Sequence, residues 1–234
     1  MLAVILAGGK GTRLKPFTAT IPKPLLPVGD IPILEVVIQQ LVSTGFTRIA
    51  LTLNHMAHLF MAVIGDGSRW GIKIDYYIED KPLGTAGAIK LVNNLDDNFL
   101  VMNGDLLTTI DYRALFDFHV KNQASGTIAT NRRNHFVDFG VLDMDTSGKL
   151  ISYNEKPSIM YQVSMGINIL SRNSVSYIPD NEKFDMPDLM MTMKEDNKAV
   201  FCYSTDCYWQ DIGRVDDFQK ASDDFTSNPE MFLS

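Results

Sequence analysis

The chain has 234 residues, of which 45% are hydrophobic and 21% charged, and its 21 basic and 28 acidic side chains give a net charge of −7. This composition is typical of a globular protein and excludes a chain that is disordered throughout. No apolar run approaches the 18 residues of a membrane span, and the apolar start, residues 2–7, is too short for a secretory signal. Two cysteines, Cys202 and Cys207, cannot build a disulfide framework. We therefore expect a cytoplasmic protein with reduced thiols and no membrane contact.

The positive charge is concentrated at the N-terminus. Residues 1–29 contain four basic and no acidic side chains, whereas the remainder of the chain contains 17 basic and 28 acidic ones. An acidic chain of this kind is a poor candidate for binding nucleic acid. A local basic segment suits a small polyanion better, and a solvated surface is the alternative.

In the first half of the chain, short apolar runs alternate with segments of helical spacing. Apolar runs between turn residues are typical of strands buried on both faces of a sheet. The predicted strands are residues 2–7, 48–53, 72–78, 98–102 and 126–130, and the predicted helices are residues 32–44, 86–92 and 112–120. This alternation predicts an α/β fold with a mainly parallel sheet and helices on both faces.

The second half of the chain is less regular. Its predicted strands are residues 139–144, 150–153, 163–170, 200–203 and 208–211, and its predicted helices are residues 187–193 and 215–225. The first three strands favour a mixed or antiparallel extension of the sheet. No repeat or linker divides the chain, so we expect a single domain, residues 1–234.

A glycine-rich segment follows the first predicted strand. It reads Leu6-Ala-Gly-Gly-Lys-Gly-Thr-Arg-Leu14, and Ile21-Pro-Lys-Pro-Leu25 comes shortly after it. Glycines let backbone N–H groups approach a phosphate without a Cβ in the way, and the basic side chains add charge. The segment matches neither the P-loop nor the dinucleotide-binding pattern.

This segment resembles the signature of the sugar-1-phosphate nucleotidyltransferases, the nucleotide-sugar pyrophosphorylases, with catalytic cores of the mannose-1-phosphate guanylyltransferase and glucose-1-phosphate thymidylyltransferase type. The resemblance continues through residues 82–87, 103–105, 154–157 and 209–213, and so covers nearly the whole chain. It implies a Rossmann-like three-layer α/β/α sandwich with a mainly parallel mixed sheet. It also implies that a nucleoside triphosphate and a sugar 1-phosphate give an NDP-sugar and pyrophosphate with Mg²⁺ as cofactor.

The resemblance assigns roles to individual residues. Arg13, Lys23 and Asp105 would be catalytic, and Asp105 and Asp211 would bind the metal. The implied nucleotide-binding residues are Leu6, Ala7, Gly8, Gly9, Gly11, Thr12, Arg13, Glu79, Gly84, Thr85 and Asn103. The implied sugar-phosphate-binding residues are Gly140, Glu155, Lys156, Gly166 and Asn168. The nucleotide half would be about residues 1–110 and the sugar-phosphate half about residues 111–234.

The substrates are less well specified by the sequence. The carboxylate of Glu79 can accept hydrogen bonds from both donors of guanine, which favours GTP weakly over UTP or dTTP. Alternatives are a non-sugar acceptor such as phosphocholine, or a catalytically silent nucleotide-sugar-binding regulatory protein. A homodimer is one option for assembly, and we expect no C-terminal β-helix domain of the kind that many relatives carry.

Overall fold

The structure, a computed structural model, describes residues 1–233. Its strands are β1 (Leu2–Leu6), β2 (Pro27–Val28), β3 (Ile31–Pro32), β4 (Arg48–Leu53), β5 (Lys73–Ile78), β6 (Asn98–Asn103), β7 (Leu106–Thr108), β8 (Gly126–Phe136), β9 (Val141–Met144), β10 (Leu150–Asn154), β11 (Ser158–Ser171), β12 (Val200–Ser204) and β13 (Trp209–Asp211). Its α-helices are α1 (Ile33–Ser43), α2 (Ala57–Ile64), α3 (Gly84–Gly87), α4 (Tyr112–Lys121), α5 (Met186–Glu195), α6 (Val215–Ser227) and α7 (Glu230–Leu233). Short 3₁₀ helices cover Thr12–Leu14, Phe17–Ala19, Lys23–Leu25, Ser68–Trp70, Ala88–Leu91 and Arg172–Tyr177.

Seven strands form the central sheet in the order β12-β8-β11-β6-β1-β4-β5. Strands β6, β1, β4 and β5 are parallel, β11 runs antiparallel to both β6 and β8, and β12 is parallel to β8. Only β11 therefore runs against the others. After β5 the chain returns to the far side of β1, which makes the carboxyl ends of β1 and β6 the topological switch point, where open α/β sheets bind ligands.

The sheet is covered on both faces, as the predicted sandwich requires. Alternate residues of β1 enter different cores: Ala3 and Ile5 pack with α1, α2 and α4, whereas Leu2 and Val4 pack with α3 and α5. This central strand is buried on both sides, which explains why its sequence is apolar without interruption. A third core lies between α1, α6 and α7.

Most predicted elements are found close to their predicted bounds, but β2, β3, β7 and α7 were not predicted, and the predicted helix 86–92 consists of α3 and the 3₁₀ helix that follows it. Helix α2 was not predicted, because its apolar residues lack the spacing of one clear face. Strand β8 was predicted for residues 126–130 but continues to Phe136. Strand β11 was predicted for residues 163–170 but already begins at Ser158. Their extra residues are largely polar or exposed, and the pairing there rests on backbone hydrogen bonds that hydrophobic patterns do not reveal. None of the helices described in residues 1–233 combines the length and apolarity needed to cross a membrane.

One histidine is buried between α4 and the sheet. His119 is 1% exposed, with Nδ1 2.9 Å from Thr127 Oγ1 and Nε2 3.1 Å from Asn98 Oδ1. Because an amide oxygen can only accept hydrogen bonds, we assign the ring proton to Nε2, which donates to Asn98 Oδ1. The unprotonated Nδ1 then accepts a hydrogen bond from the Thr127 hydroxyl. Burial lowers the pKa of His119 to about 4. The ring is therefore neutral in the folded protein at neutral pH.

We expect the free energy of unfolding to fall by about 3 kcal/mol between pH 7 and pH 4 through His119 alone. The unfolded chain binds a proton near pH 6.5, whereas the folded chain does so only near pH 4, so stability is lost as the pH falls through this window. Urea denaturation across this range measures the slope. His119→Gln should have a smaller slope than the wild type, and His135→Gln, at an exposed position, should not. Equal slopes in the wild type and His119→Gln would contradict the assignment.

Candidate active site

The glycine-rich loop leaves the carboxyl end of β1, in the middle of the sheet. Gly11 has φ +58°, and a Cβ there would lie 3.0 Å from Thr18 Cγ2. Thr18 fixes the loop by donating its hydroxyl proton to the Gly11 carbonyl at 2.7 Å. A Cβ on Gly8 would lie 2.8 Å from Glu79 Oε1. At both positions the absence of a side chain allows the close approach that the loop needs.

This loop forms one wall of a cavity of about 420 Å³ at the switch point. All eleven residues that the sequence assigns to nucleotide binding line it, together with Lys23 and Asp105. This cavity is also lined by five residues that were not predicted: Pro24, Thr52, Asn54, Pro82 and Ala88. Thr52 and Asn54 could have been found, because they lie at and just beyond the end of the strand that neighbours β1.

Two residues opposite the loop are fixed by their surroundings. Glu79 Oε2 accepts a hydrogen bond from the Leu83 N–H at 2.8 Å, and burial raises the pKa of Glu79 while this bond opposes the rise. Gly84 has φ +77°, and a Cβ there would lie 2.6 Å from the Phe184 carbonyl oxygen. Glu79 thus shapes the turn that leads to α3 while its other carboxylate oxygen stays free of hydrogen bonds within the described chain.

Three charged groups from distant parts of the sequence meet at this cavity: Lys23 and Asp105 line it, and Asp211 lies next to them. Strand β13 pairs antiparallel with β7, so that Asp211 lies opposite Leu106 and beside Asp105, which follows β6. Lys23 is buried, its ammonium group forms an ion pair with Asp105, and its Nζ lies 3.8 Å from Asp211 Oδ1. A buried ammonium needs such partners, because desolvating it alone is costly.

The electrostatics of this group depend on the two carboxylates. Partial burial and the neighbouring Asp105 raise the pKa of Asp211, while Lys23 and Arg13 oppose the rise. Both aspartates contact one ammonium group, so the same position suits a cation with a preference for hard oxygen ligands. Within residues 1–233, no cluster of three or more His, Cys, Asp or Glu side chains forms a metal site. The pair therefore fits a divalent cation whose remaining ligands are water or substrate oxygens.

A second cavity of about 370 Å³ adjoins the first and shares Leu6, Thr85 and Asn103 with it. Of the residues predicted to bind the sugar phosphate, Gly166 and Asn168 line it, and so does Asp211. The Oδ1 atom of Asn168 is buried and has no hydrogen-bond partner in the described chain. Asp211 thus connects the two cavities: it lines the second one and lies next to the Lys23–Asp105 pair, which lines the first.

The other three predicted sugar-phosphate residues are placed elsewhere. Gly140, Glu155 and Lys156 line neither cavity and lie at the ends of the β9–β10 hairpin. Glu155 is exposed and accepts a hydrogen bond from the Tyr153 hydroxyl at 3.0 Å. The structure therefore divides the predicted sugar-phosphate set, and the roles of these three residues stay predictions.

The family model described as Nucleotidyl transferase matches residues 2–228. The chain belongs to the nucleotidyl transferase family. The resemblance based on the glycine-rich segment is therefore confirmed, and the match extends over both cavities.

The names of individual relatives contain different nucleotides. The chain is 32% identical to a UTP–glucose-1-phosphate uridylyltransferase from Synechocystis sp. over 94% of its length. It is also 32% identical to a mannose-1-phosphate guanylyltransferase from Mycobacterium tuberculosis over 95% of its length. It spans 62% and 64% of the lengths of these two proteins.

A solved structure matches over its whole length. HddC from Yersinia pseudotuberculosis, crystallised with GMP-PN, is 28% identical and superposes with a TM-score of 0.74. The match covers 96% of this chain and 99% of that one. The mainly parallel α/β architecture is therefore shared with a nucleotide-bound relative.

We expect Asp211→Asn to raise the melting temperature at pH 7 by up to about 2 °C, which corresponds to less than about 1 kcal/mol in a chain of this size. An acid with a raised folded-state pKa costs stability once the pH rises above its unfolded value, and the amide removes that cost. Calorimetry at pH 7 measures the shift. Asp138→Asn, at an exposed carboxylate without an ion pair in residues 1–233, is the control. A fall in melting temperature for Asp211→Asn alone would contradict the assigned electrostatics.

Proposed function

We propose that the chain transfers a nucleotidyl group from a nucleoside triphosphate to a sugar 1-phosphate and releases pyrophosphate. The observation that carries the proposal is the buried Lys23, held between Asp105 and Asp211, beside a glycine-rich loop at the junction of two cavities. One cavity has the residues expected for a triphosphate, and the other opens on the same charged group. Two anionic substrates that must react with each other need such a cation between them.

In the proposed reaction, no covalent enzyme intermediate is needed. A phosphate oxygen of the sugar 1-phosphate attacks the α-phosphorus, the bond from this phosphorus to the bridging oxygen of the β-phosphate breaks, and pyrophosphate leaves in line. Arg13 and the loop would hold the triphosphate, and the Lys23 ammonium would offset negative charge near the reacting atoms. The Lys23–Asp105 ion pair keeps the ammonium at the site in the structure as described. The rate enhancement would come from orientation and charge neutralisation.

The proposed cofactor is Mg²⁺, held by Asp105 and Asp211. When bound, it would offset the phosphate charge that accumulates during transfer. The fit rests on two carboxylates that already share a cationic group, on their hard oxygen donors, and on a pKa of Asp211 raised in part by Asp105. Lys23 would then contact the phosphates, since a metal ion could replace it as the partner of the two aspartates.

For the nucleotide we propose GTP. One oxygen of Glu79 accepts from Leu83, which leaves the other to accept from guanine in the cavity. The relatives support a guanine or a uracil nucleotide, because both guanylyl- and uridylyltransferases are among them. We place the nucleotide in residues 1–110 and the sugar 1-phosphate in residues 111–234, with Gly166 and Asn168 at the sugar.

The first experiment measures pyrophosphate release from GTP, UTP, dTTP, ATP and CTP, each paired with a panel of sugar 1-phosphates and with phosphocholine. We expect one pair, with GTP and a sugar 1-phosphate, to exceed the others by at least about tenfold, because a site that hydrogen-bonds its substrate rejects analogues lacking that group. Chelation of divalent cations should abolish release. No release from any pair, by protein that is folded and binds GTP in calorimetry, would contradict the proposed transfer and favour a regulatory nucleotide-binding protein.

We expect Glu79→Gln to lower kcat/KM for GTP by about 10- to 100-fold and for UTP much less. The glutamine oxygen can keep the bond to Leu83, which turns the amide NH₂ toward the donors of guanine. Uracil has acceptors that tolerate an NH₂ group. Asp80→Asn, an exposed neighbour, serves as the matched control. An equal loss with both nucleotides would remove the argument for GTP.

A further inference from the structure

A short segment connects β12 with the strand that contains Asp211. Strand β12 pairs with β8 only as far as Thr130, whose carbonyl also accepts a hydrogen bond from the Thr205 N–H at 3.0 Å. Strand β13 begins at Trp209. We call residues 205–209 the connecting segment. Because it follows the end of the backbone pairing with β8, other contacts must fix the direction in which it leads into β13.

Two alternate side chains of β8 supply these contacts. Asn131 Nδ2 donates hydrogen bonds to the carbonyl oxygens of Thr205 and Cys207, at 3.2 and 3.1 Å. Arg133 Nη2 donates to the carbonyl oxygen of Trp209 at 2.8 Å. Since alternate residues of a strand share a face, their donors reach every second carbonyl of the connecting segment. Side chains of β8 thus continue the contact with this segment beyond the end of the backbone pairing.

Arg133 also contacts the side chain of Trp209. Its guanidinium carbon lies 4.7 Å from the centre of the indole ring, within the range of a cation–π interaction. The indole N–H donates to the Met165 carbonyl at 3.1 Å. This carbonyl lies where the pairing of β11 with β8 shifts register, between Ser164 and Asn168. The ring is therefore held by two strands, through Arg133 from β8 and through Met165 from β11.

The residue that Arg133 holds is part of the second cavity. Trp209 and Asp211 are two residues apart in β13, so their side chains share one face of this strand, and both line this cavity. Arg133 lines neither cavity. It therefore acts on the site through Trp209. A contact that fixes Trp209 also fixes the strand that places Asp211 near Lys23.

We propose that Arg133 is a positioning residue, which holds Trp209 as a wall of the second cavity and keeps Asp211 in place near Lys23. The consequence for catalysis rests on the proposed function, in which this cavity receives the sugar 1-phosphate. Arg133 is exposed, so its replacement costs the fold little. Its loss should instead affect the reaction, because a displacement of about 1 Å at reacting groups lowers rates by about 100-fold.

The first experiment measures how accessible the Trp209 ring is. The chain has two tryptophans, so Trp70→Phe leaves Trp209 as the only one. In this background we expect Arg133→Thr, which suits a strand, to raise the acrylamide quenching constant about twofold, because one face of the ring loses its cover. The control Arg132→Thr removes the same charge from the neighbouring residue, whose ion pair with Asp206 is exposed, and should leave quenching unchanged.

The second experiment measures kinetics with the nucleotide and sugar 1-phosphate pair that gives the highest pyrophosphate release. Arg133→Thr should lower kcat/KM for the sugar 1-phosphate by about 10- to 100-fold. The KM for the nucleotide should not change, because neither Arg133 nor Trp209 lines the first cavity. Arg133→Lys, which keeps a cation and a donor, should recover part of the kinetic loss and of the change in quenching. Arg132→Thr should behave like the wild type.

Three outcomes would overturn the inference: quenching in Arg133→Thr equal to that in its parent, an equal rise in Arg132→Thr, or unchanged kcat/KM for the sugar 1-phosphate. Circular dichroism and melting curves must show that the variants are folded. If Arg133→Thr does not fold, Arg133→Lys is compared with Arg132→Lys, and only the first should change quenching. Quenching needs no turnover. A protein that releases no pyrophosphate would therefore contradict the proposed transfer alone, while quenching would still decide whether Arg133 positions Trp209.

Discussion

The contact on which the candidate site depends is the ion pair between the buried Lys23 ammonium and Asp105, with Asp211 close by. A buried charge without partners would destabilise the fold, and two adjacent carboxylates without a cation would repel each other. The buried ammonium therefore needs Asp105, and it offsets the repulsion between Asp105 and Asp211. The three charged side chains stay together beside two adjoining cavities, and Asp211 has a pKa above its usual value.

The strand order of the sheet places this contact at the carboxyl ends of β1 and β6. Strand β1 lies between β6 and β4, so the loop that follows it and the aspartate that follows β6 come out at the same edge of the sheet. Strand β13 brings in the third group by pairing with β7. A separate hairpin, far along the chain, carries Glu155 and Lys156 outside both cavities.

Much of the fold could be predicted from the sequence, because buried parallel strands leave continuous apolar runs and the helices leave a clear spacing. The residues that the resemblance assigns to nucleotide binding all line one cavity, because most of them lie at the carboxyl ends of β1, β5 and β6. Their role stays a prediction. Helix α2 and the outer parts of β8 and β11 were not predictable, since their formation depends on tertiary packing and on backbone pairing between distant segments.

By itself, the sequence determined the family, the α/β architecture and the chemical types of residue at the site, because these depend on local order: a strand, a glycine turn, a cation. The tertiary structure alone decided which of these residues meet. It placed Asp211 beside Asp105 across more than a hundred residues, divided the predicted sugar-phosphate set between a cavity and a hairpin, and left ten apolar side chains between residues 136 and 161 exposed. Such distances and exposures depend on strand pairing between remote segments, and the sequence of one strand does not specify which strands pair with it.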